Sequence, residues 1–510
     1  MITFGLWSAC TQPAVDPIAD PTAWMVRASL DLRGVRPSVA ELDQLERAPD
    51  SAPQLLEQWM DDPAFELRVR DLFSRVWRTR VDEFVDPDLG GDPWGMPDSE
   101  AFHSAVGDEP LVMISRVVAE GRPYTDIVTS PTTYVNERLV DEFPVEVEQE
   151  GGGWVEARYV DGRPMAGVLS TNGLWWRYLS VGANYNRGRA NALSRILLCS
   201  DFAARPVTFS VALGELDEDR TQEDPSCLSC HAGLDPLAGL LYGFRAGYTP
   251  FPTYSLANER DWLTTTGVEP GFFGEPVSDL EQLGVAIASD PRFLPCAVEQ
   301  VYTGLYGIEP SKADPETLAR HLSAFVASGA QLDAVYRSIV TDPAYAAAER
   351  RLLPIESVSA QVKDLTGYRW EVDGADMLGS DTRGLRTLGG GMDGRSVIRA
   401  ATTPSATTVL VVQRLSELAA PWAVAHDAER PEEAQLFGGL DFTETLDSDR
   451  DEIEAAIDHL VVRALARRPT GPERDALVST WEDAAAIATA EEAWAAVLAT
   501  LIQDPEFVLY

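Results

Sequence analysis

Lysine is almost missing from this chain. Lys312 and Lys363 are the only two, and arginine supplies the rest of the 41 basic residues. Against them stand 81 Asp and Glu, for a formal net charge of -40 over 510 residues. The arginine bias, with the abundant Ala and Asp, reads as codon usage rather than function. The acidity excludes partners: so negative a chain repels a phosphate backbone, so no nucleic acid is expected to bind, and anionic membrane surfaces are disfavoured alike. Long apolar runs are also missing. A spanning helix needs about 18 or more apolar residues. The best stretch, Ala484 to Ile502, is broken by Glu491 and Glu492, so no transmembrane segment is expected. Cysteine is scarce, five in all, too few for a disulfide scaffold at this length. No G-x-S-x-G, H-E-x-x-H or Walker sequence occurs, and carboxylates are so abundant that no catalytic pair stands out. What the chain does have is 45% hydrophobic and 9% aromatic residues, with 13 Trp. That excludes a disordered chain, and the length indicates several compact units.

One pattern recurs three times. A helical run ends near a Pro, a second helix-length segment follows, and then comes Asp-Pro-x-aromatic. The first copy runs Ala23 to Leu32, Pro37, Leu55 to Met60 and Asp62-Pro-Ala-Phe65. The second runs Ala297 to Tyr306, Pro310, Leu332 to Val340 and Asp342-Pro-Ala-Tyr345. The third runs Ile457 to Ala466, Pro469, Ala493 to Ile502 and Asp504-Pro-Glu-Phe507. Apolar residues at helical spacing, such as Leu55, Leu56, Trp59 and Met60, predict helix pairs. The Pro is expected in the first turn of the second helix, with Asp-Pro as a stop. Packing is the plain role of these units. Between them, Val145 to Glu150 and Trp154 to Val160 alternate around Gly151-Gly-Gly153, which predicts a β-hairpin. A helix is expected over Arg187 to Cys199. Residues 245–275 and Gly374 to Gly394 read as irregular.

The cysteines are more informative by position than by number. Cys10 follows a short apolar stretch, Ile2 to Ala9, and precedes a Pro-rich tether. This resembles the end of a bacterial lipoprotein signal, with Cys10 lipidated, although a basic n-region is missing and the apolar segment is short. The plain alternative is a frayed terminus with an idle thiol.

Cys227-Leu-Ser-Cys230-His231 is a C-x-x-C-H sequence, the attachment site of c-type haem. Two thiols one helical turn apart reach the two vinyl groups of one porphyrin, and the adjacent imidazole becomes the proximal iron ligand. Asp224-Pro225-Ser226 ahead of it predicts a helix start. Three other readings compete. Zinc needs four ligands, and no second C-x-x-C or H-x-x-x-H pair exists. A thioredoxin-type pair belongs in a βαβ context, which is missing. A structural disulfide leaves His231 without a role.

Haem attachment takes place outside the cytoplasmic membrane, so the chain is expected in the periplasm or on the outer membrane. In that oxidising space Cys199 and Cys296 could pair; one lipidated Cys, two thioethers and one disulfide then account for all five. The sixth ligand stays open. Candidates are His103, His321, His426 and His459, the thioethers of Met165, Met96, Met377 and Met392, or an open or water-occupied position. His321 and His459 lie in the packing units. Met165 follows the hairpin, and Met392 sits in a Gly-rich loop. Arg187 and Arg189 could neutralise haem propionates, with a surface role as the plain alternative.

Across residues 24–510 these features resemble the cytochrome-c-associated families of unknown function of planctomycetes and myxobacteria. The matching segments are Leu32-Arg-Gly-Val-Arg-Pro-Ser38 with Glu41-Leu42, Asp62-Pro-Ala-Phe65, Pro123 to Val128 and Tyr134 to Leu139. Arg163 with Gly167 to Leu169, Arg187-Gly188, Cys227 to His231 with Leu234-Asp-Pro-Leu237, Phe293 to Cys296, and Ala464 to Thr470 with Glu473 complete the set. Ala238 stands where those families usually have Gly, and Tyr242 where an acidic residue is common; both bear on the haem pocket rather than on attachment. The resemblance strengthens the cytochrome reading and leaves the reaction open.

The expected fold is mainly α and multi-helical, with three related helix-pair units, one small β-hairpin and a haem loop-helix. Its segments are a signal remnant or tether (1–20), an amino-terminal helical domain (21–140), the hairpin plus helix (141–215), the C-x-x-C-H segment (216–275), the second unit (276–355), a Gly-containing connection (356–440) and the last unit (441–510). The expected function is a monohaem c-type cytochrome passing electrons in the cell envelope, with one covalent haem c and a redox partner of basic surface, drawn by the negative charge. The alternatives are a haem oxidoreductase or electron-accepting dehydrogenase subunit, and a non-catalytic envelope scaffold.

Overall fold

The computed structural model describes residues 21–84, 99–148, 151–180, 184–206, 225–245, 254–382 and 384–510. Cys10, Met96 and the 1–20 tether lie outside them. The fold is mainly helical with a few small sheets.

The three recurring units are helix trios rather than the expected pairs. Pro21–Arg33, Val39–Arg47 and Ala52–Met60 form the first. Phe293–Tyr306, Pro315–Ala327 and Asp333–Val340 form the second. Leu446–Leu465, Gly471–Ala485 and Ala490–Ile502 form the third. In each, the first helix gives way to a residue of left-handed backbone: Gly34 (φ 77°), Gly307 (φ 65°) and Ala466 (φ 54°). The middle helix then starts at a side-chain cap. The oxygens of Ser38, Asp314 and Thr470 accept from the backbone N–H of Glu41, Thr317 and Glu473, and two of the three are full capping boxes. Pro37 and Pro469 stand just ahead of these caps rather than inside the first turn, and Pro310 opens a separate short turn, Pro310–Lys312.

The Asp-Pro pairs begin helices as well as stopping them. Asp62, Asp342 and Asp504 accept from the N–H of Ala64, Ala344 and Glu506 at 2.8, 2.9 and 2.7 Å. Pro63, Pro343 and Pro505 take the first helical position, where no amide donor is needed. The aromatic two residues on is buried in every copy: Phe65, Tyr345 and Phe507.

Units one and two share one core. Trp24 donates its indole N–H to the Val340 carbonyl at 2.6 Å, and Phe65 meets Tyr336 edge-on at 5.1 Å. Unit three builds a second core with helices Ile355–Thr366 and Ala406–Glu429, and Leu30 of the first unit reaches into it. A third cluster, with Phe84, Phe102, Met165 and Trp176, backs the sheet. There Val145–Val147 pairs antiparallel with Val155–Tyr159, as expected, and a further strand, Thr133–Val135, pairs with the other edge of Val155–Tyr159.

The 245–275 stretch corrects its irregular reading. It holds a helix, Leu256–Thr266, and a two-stranded ribbon, Gly271–Phe272 with Glu275–Pro276. That helix is anchored by one fully buried side chain, Trp262, rather than by an apolar stripe, so its periodicity is weak. Gly374 to Gly394 contains no helix among its described residues. Among the described residues no helix is long and apolar enough to cross a membrane.

Candidate functional site

Helix Pro225–Gly239 carries the C-x-x-C-H sequence in its first two turns, with Pro225 at its first position. Leu234, Leu237 and Ala238 bury its inner face in the main core. Gly239 is required where it stands: a Cβ there would come within 2.5 Å of the Trp262 indole nitrogen. The phenyl rings of Phe202 and Phe273 stack at 6.1 Å beside Gly233. Helix Arg187–Leu198 packs along the same segment. From it Arg189, wholly buried, donates to the carbonyls of Phe244, Tyr178 and Trp175 and to the Asn186 side chain, at 2.6 to 3.1 Å. Burial lowers its pKa to about 9. Arg189 is therefore neither a surface residue nor free for a propionate.

The helix register sets the chemistry. Residues four apart share a face, so Cys227, His231 and Asp235 lie in line along one side. The His231 Nδ1–H donates to Asp235 Oδ1 at 3.0 Å and Oδ2 at 3.3 Å; a carboxylate cannot donate, so that nitrogen carries the proton. Asp235 is buried, and Arg187 clamps it from the neighbouring helix, Nε to Oδ1 at 2.7 Å and Nη2 to Oδ2 at 3.1 Å. Burial pushes the Asp235 carboxyl up, but the His231 and Arg187 hydrogen bonds outweigh it and hold the pKa below its ordinary value. His231 Nε2 makes no hydrogen bond among the described residues. Cys227 is buried, Cys230 half-buried, and both are free thiols. One imidazole nitrogen and two thiols one turn apart are the donors a covalent porphyrin needs. Such a group brings four ring nitrogens of its own, so the site needs no further protein ligand cluster. Among the described residues no group of three or more His, Cys, Asp or Glu is placed to hold a bare ion.

Arg187 thus joins Cys227, Cys230 and His231, through Asp235, a residue the sequence reading passed over as a site. The cue was available: Asp235 stands four residues after His231. Met165 lies in the separate cluster that holds Phe84, Phe102 and Trp176. The remaining histidines have other surroundings. His103 accepts from the Phe84 N–H, His321 contacts the Ser338 hydroxyl at 2.8 Å, His426 stacks on Trp422 at 4.8 Å, and His459 is exposed on the Leu446–Leu465 helix. Met392 is buried in the Gly-rich loop, and Met377 packs on the second core.

Two other features are remote from this chemistry. A cleft of about 370 Å³ between units one and three is lined by Asp43, Glu46, Asp458, His459, Arg467 and Arg468. Its Arg467 is already paired to Glu473 and Glu506. Gly389-Gly-Gly391-Met-Asp-Gly394 has the glycine spacing of a dinucleotide loop, but it leads into no helix before Ala406 and lacks the strand-turn-helix setting such a loop needs.

Cys199 ends the Arg187–Leu198 helix and forms a disulfide with Cys296 on Phe293–Tyr306, 97 residues away. Compared with known proteins, the chain matches no family model, no curated protein and no solved structure.

Proposed function

We propose that this chain is an exported monohaem c-type cytochrome-like protein that passes single electrons in the bacterial cell envelope. Haem c is attached at Cys227 and Cys230, with His231 as the proximal ligand. Each thiol adds across one vinyl C=C, forming a C–S and a C–H bond with no net oxidation. The observation that carries the reading is the C-x-x-C-H sequence on one helix start, with His231 fixed through Nδ1 so that Nε2 is left for iron. The Cys199–Cys296 disulfide supports an oxidising compartment. Resemblance to the planctomycete and myxobacterial cytochrome-associated families points the same way. Cys10 is the lipid anchor in this reading, and the -40 charge draws a redox partner of basic surface.

The test is a spectrum and a mass on protein matured in its own envelope. Haem that survives denaturation, with a c-type α-band and pyridine haemochrome, is the expected result. Bare or mutually bridged sulfurs at 227 and 230 would end the proposal. Electron transfer to a basic partner should slow as salt rises, and a flat response removes the steering claim.

A further inference from the structure

We infer that Asp235 makes His231 a strong electron donor to iron and thereby gives the haem a low midpoint potential, with Arg187 as a counterweight. This rests on the function proposed above. An imidazole whose Nδ1–H meets a carboxylate gains partial imidazolate character, which a carbonyl or water partner confers far less. The stronger donor stabilises ferric over ferrous iron, because the ferric centre carries more positive charge.

Three observations place Asp235 in that role. Both carboxylate oxygens lie within hydrogen-bond reach of His231 Nδ1, at 3.0 and 3.3 Å. The carboxylate is 4% exposed, so water competes little for it. Arg187 grips both oxygens from a second helix, so the group cannot turn away. The same grip draws electron density from the carboxylate and limits what reaches the imidazole. The two side chains therefore act on the iron in opposite senses. A haem so tuned needs a strong reductant to fill it and gives its electron up readily, so the reaction that supplies it is a strongly reducing one. Asp235 is a positioning and tuning residue, since it acts through His231.

The experiment is a redox titration, followed in the visible spectrum, of the envelope-matured holoprotein and of Asp235→Asn and Arg187→Gln. Asparagine keeps the shape and an acceptor oxygen but not the charge. The midpoint should rise in Asp235→Asn and fall in Arg187→Gln, with covalent haem content unchanged by pyridine haemochrome. Opposite shifts are not what general damage to the pocket produces. If haem is attached and neither midpoint moves, or both move in one direction, the inference is overturned and the cytochrome reading stands. If the parent protein carries no covalent haem, both fall. If Asp235→Asn does not fold, Arg187→Gln decides alone: a fall supports the inference and no fall overturns it.

Discussion

Two buried residues give the protein opposing responses to pH. Glu109, fully buried, accepts from the hydroxyls of Thr133 and Tyr159 at 3.1 and 3.0 Å. Burial pushes its carboxyl up to about 7, against the pull of Arg163 and these hydrogen bonds. A raised acid contributes stability that is complete below its unfolded pKa, 4.5, and is lost as pH rises through 7. His321, beside Ser338 and Asp342, behaves the other way. Burial lowers its pKa to about 4, so its contribution is complete above 6.5 and is lost as pH falls toward 4. At about 1.4 kcal/mol per unit, each effect is about 3 kcal/mol, and between roughly pH 4.5 and 6.5 they offset one another. Glu109→Gln should therefore steepen the loss of stability on acidification below pH 6.5 and gain on the parent above pH 7. His321→Gln should leave a stability that declines from pH 4.5 to 7. Denaturant midpoints from pH 4.5 to 8 check both; profiles parallel to the parent would show that neither group titrates as its burial requires. His321 was legible as a packing histidine, whereas Glu109 was one carboxylate among 81 acidic residues.

Elements were legible where a signal was local and strong. The first and third helices of each unit carry apolar residues on a buried face, and the hairpin shows clean alternation around glycines. The middle helices are hard to see because they bury little: Leu42 and Leu45 in one, Leu477, Val478 and Trp481 in another. Their readable mark was the cap, Ser38-x-x-Glu41 and Thr470-x-x-Glu473, rather than the stripe. Thr133–Val135 is too short for alternation to register. The C-x-x-C-H helix was legible from its motif, but the surroundings of Asp235 depend on Arg187, 48 residues away, and no spacing announces them. The disulfide is the element-scale feature with the clearest energetic consequence. It ties the end of helix Arg187–Leu198 to helix Phe293–Tyr306 and closes a loop that contains the whole C-x-x-C-H helix. Constraining a loop near a hundred residues long stabilises by about 2–4 kcal/mol, chiefly through the unfolded chain. The double change Cys199→Ser with Cys296→Ser should lower the unfolding free energy by that amount, read from denaturant curves. A loss under about 0.5 kcal/mol would mean the two helices are held equally well by packing.

At the scale of the molecule, the question is what keeps three units together against a net charge of -40. Long-range repulsion between them is screened within about 10 Å in ordinary salt, but it still favours expansion. One buried carboxylate opposes it. Asp31, on the first helix of unit one, accepts from the Tyr345 hydroxyl at 2.6 Å, the Tyr510 hydroxyl at 2.6 Å and Arg351 Nη2 at 2.7 Å. Tyr345 is the terminal aromatic of unit two, and Tyr510 follows the terminal aromatic of unit three. Arg351 and Tyr510 also exchange backbone hydrogen bonds, at 2.9 and 3.1 Å, and the Arg27 guanidinium lies 4.9 Å from the Tyr345 ring centre. So residues from three units, hundreds of positions apart, share one anion. Asp31→Asn keeps the volume but leaves the buried Arg351 cation without its partner, which costs about 3–5 kcal/mol. Tyr510→Phe removes a single hydrogen bond to a charged group and costs about 1.5–3 kcal/mol. Because the group is 3% exposed, salt should not rescue either loss, whereas it should stabilise the parent and both variants alike by screening the surface. Urea denaturation at low and high sodium chloride reads all of this. An Asp31→Asn protein within about 1 kcal/mol of the parent, or one restored by salt, would mean that apolar packing alone holds the three units and that the shared carboxylate is incidental.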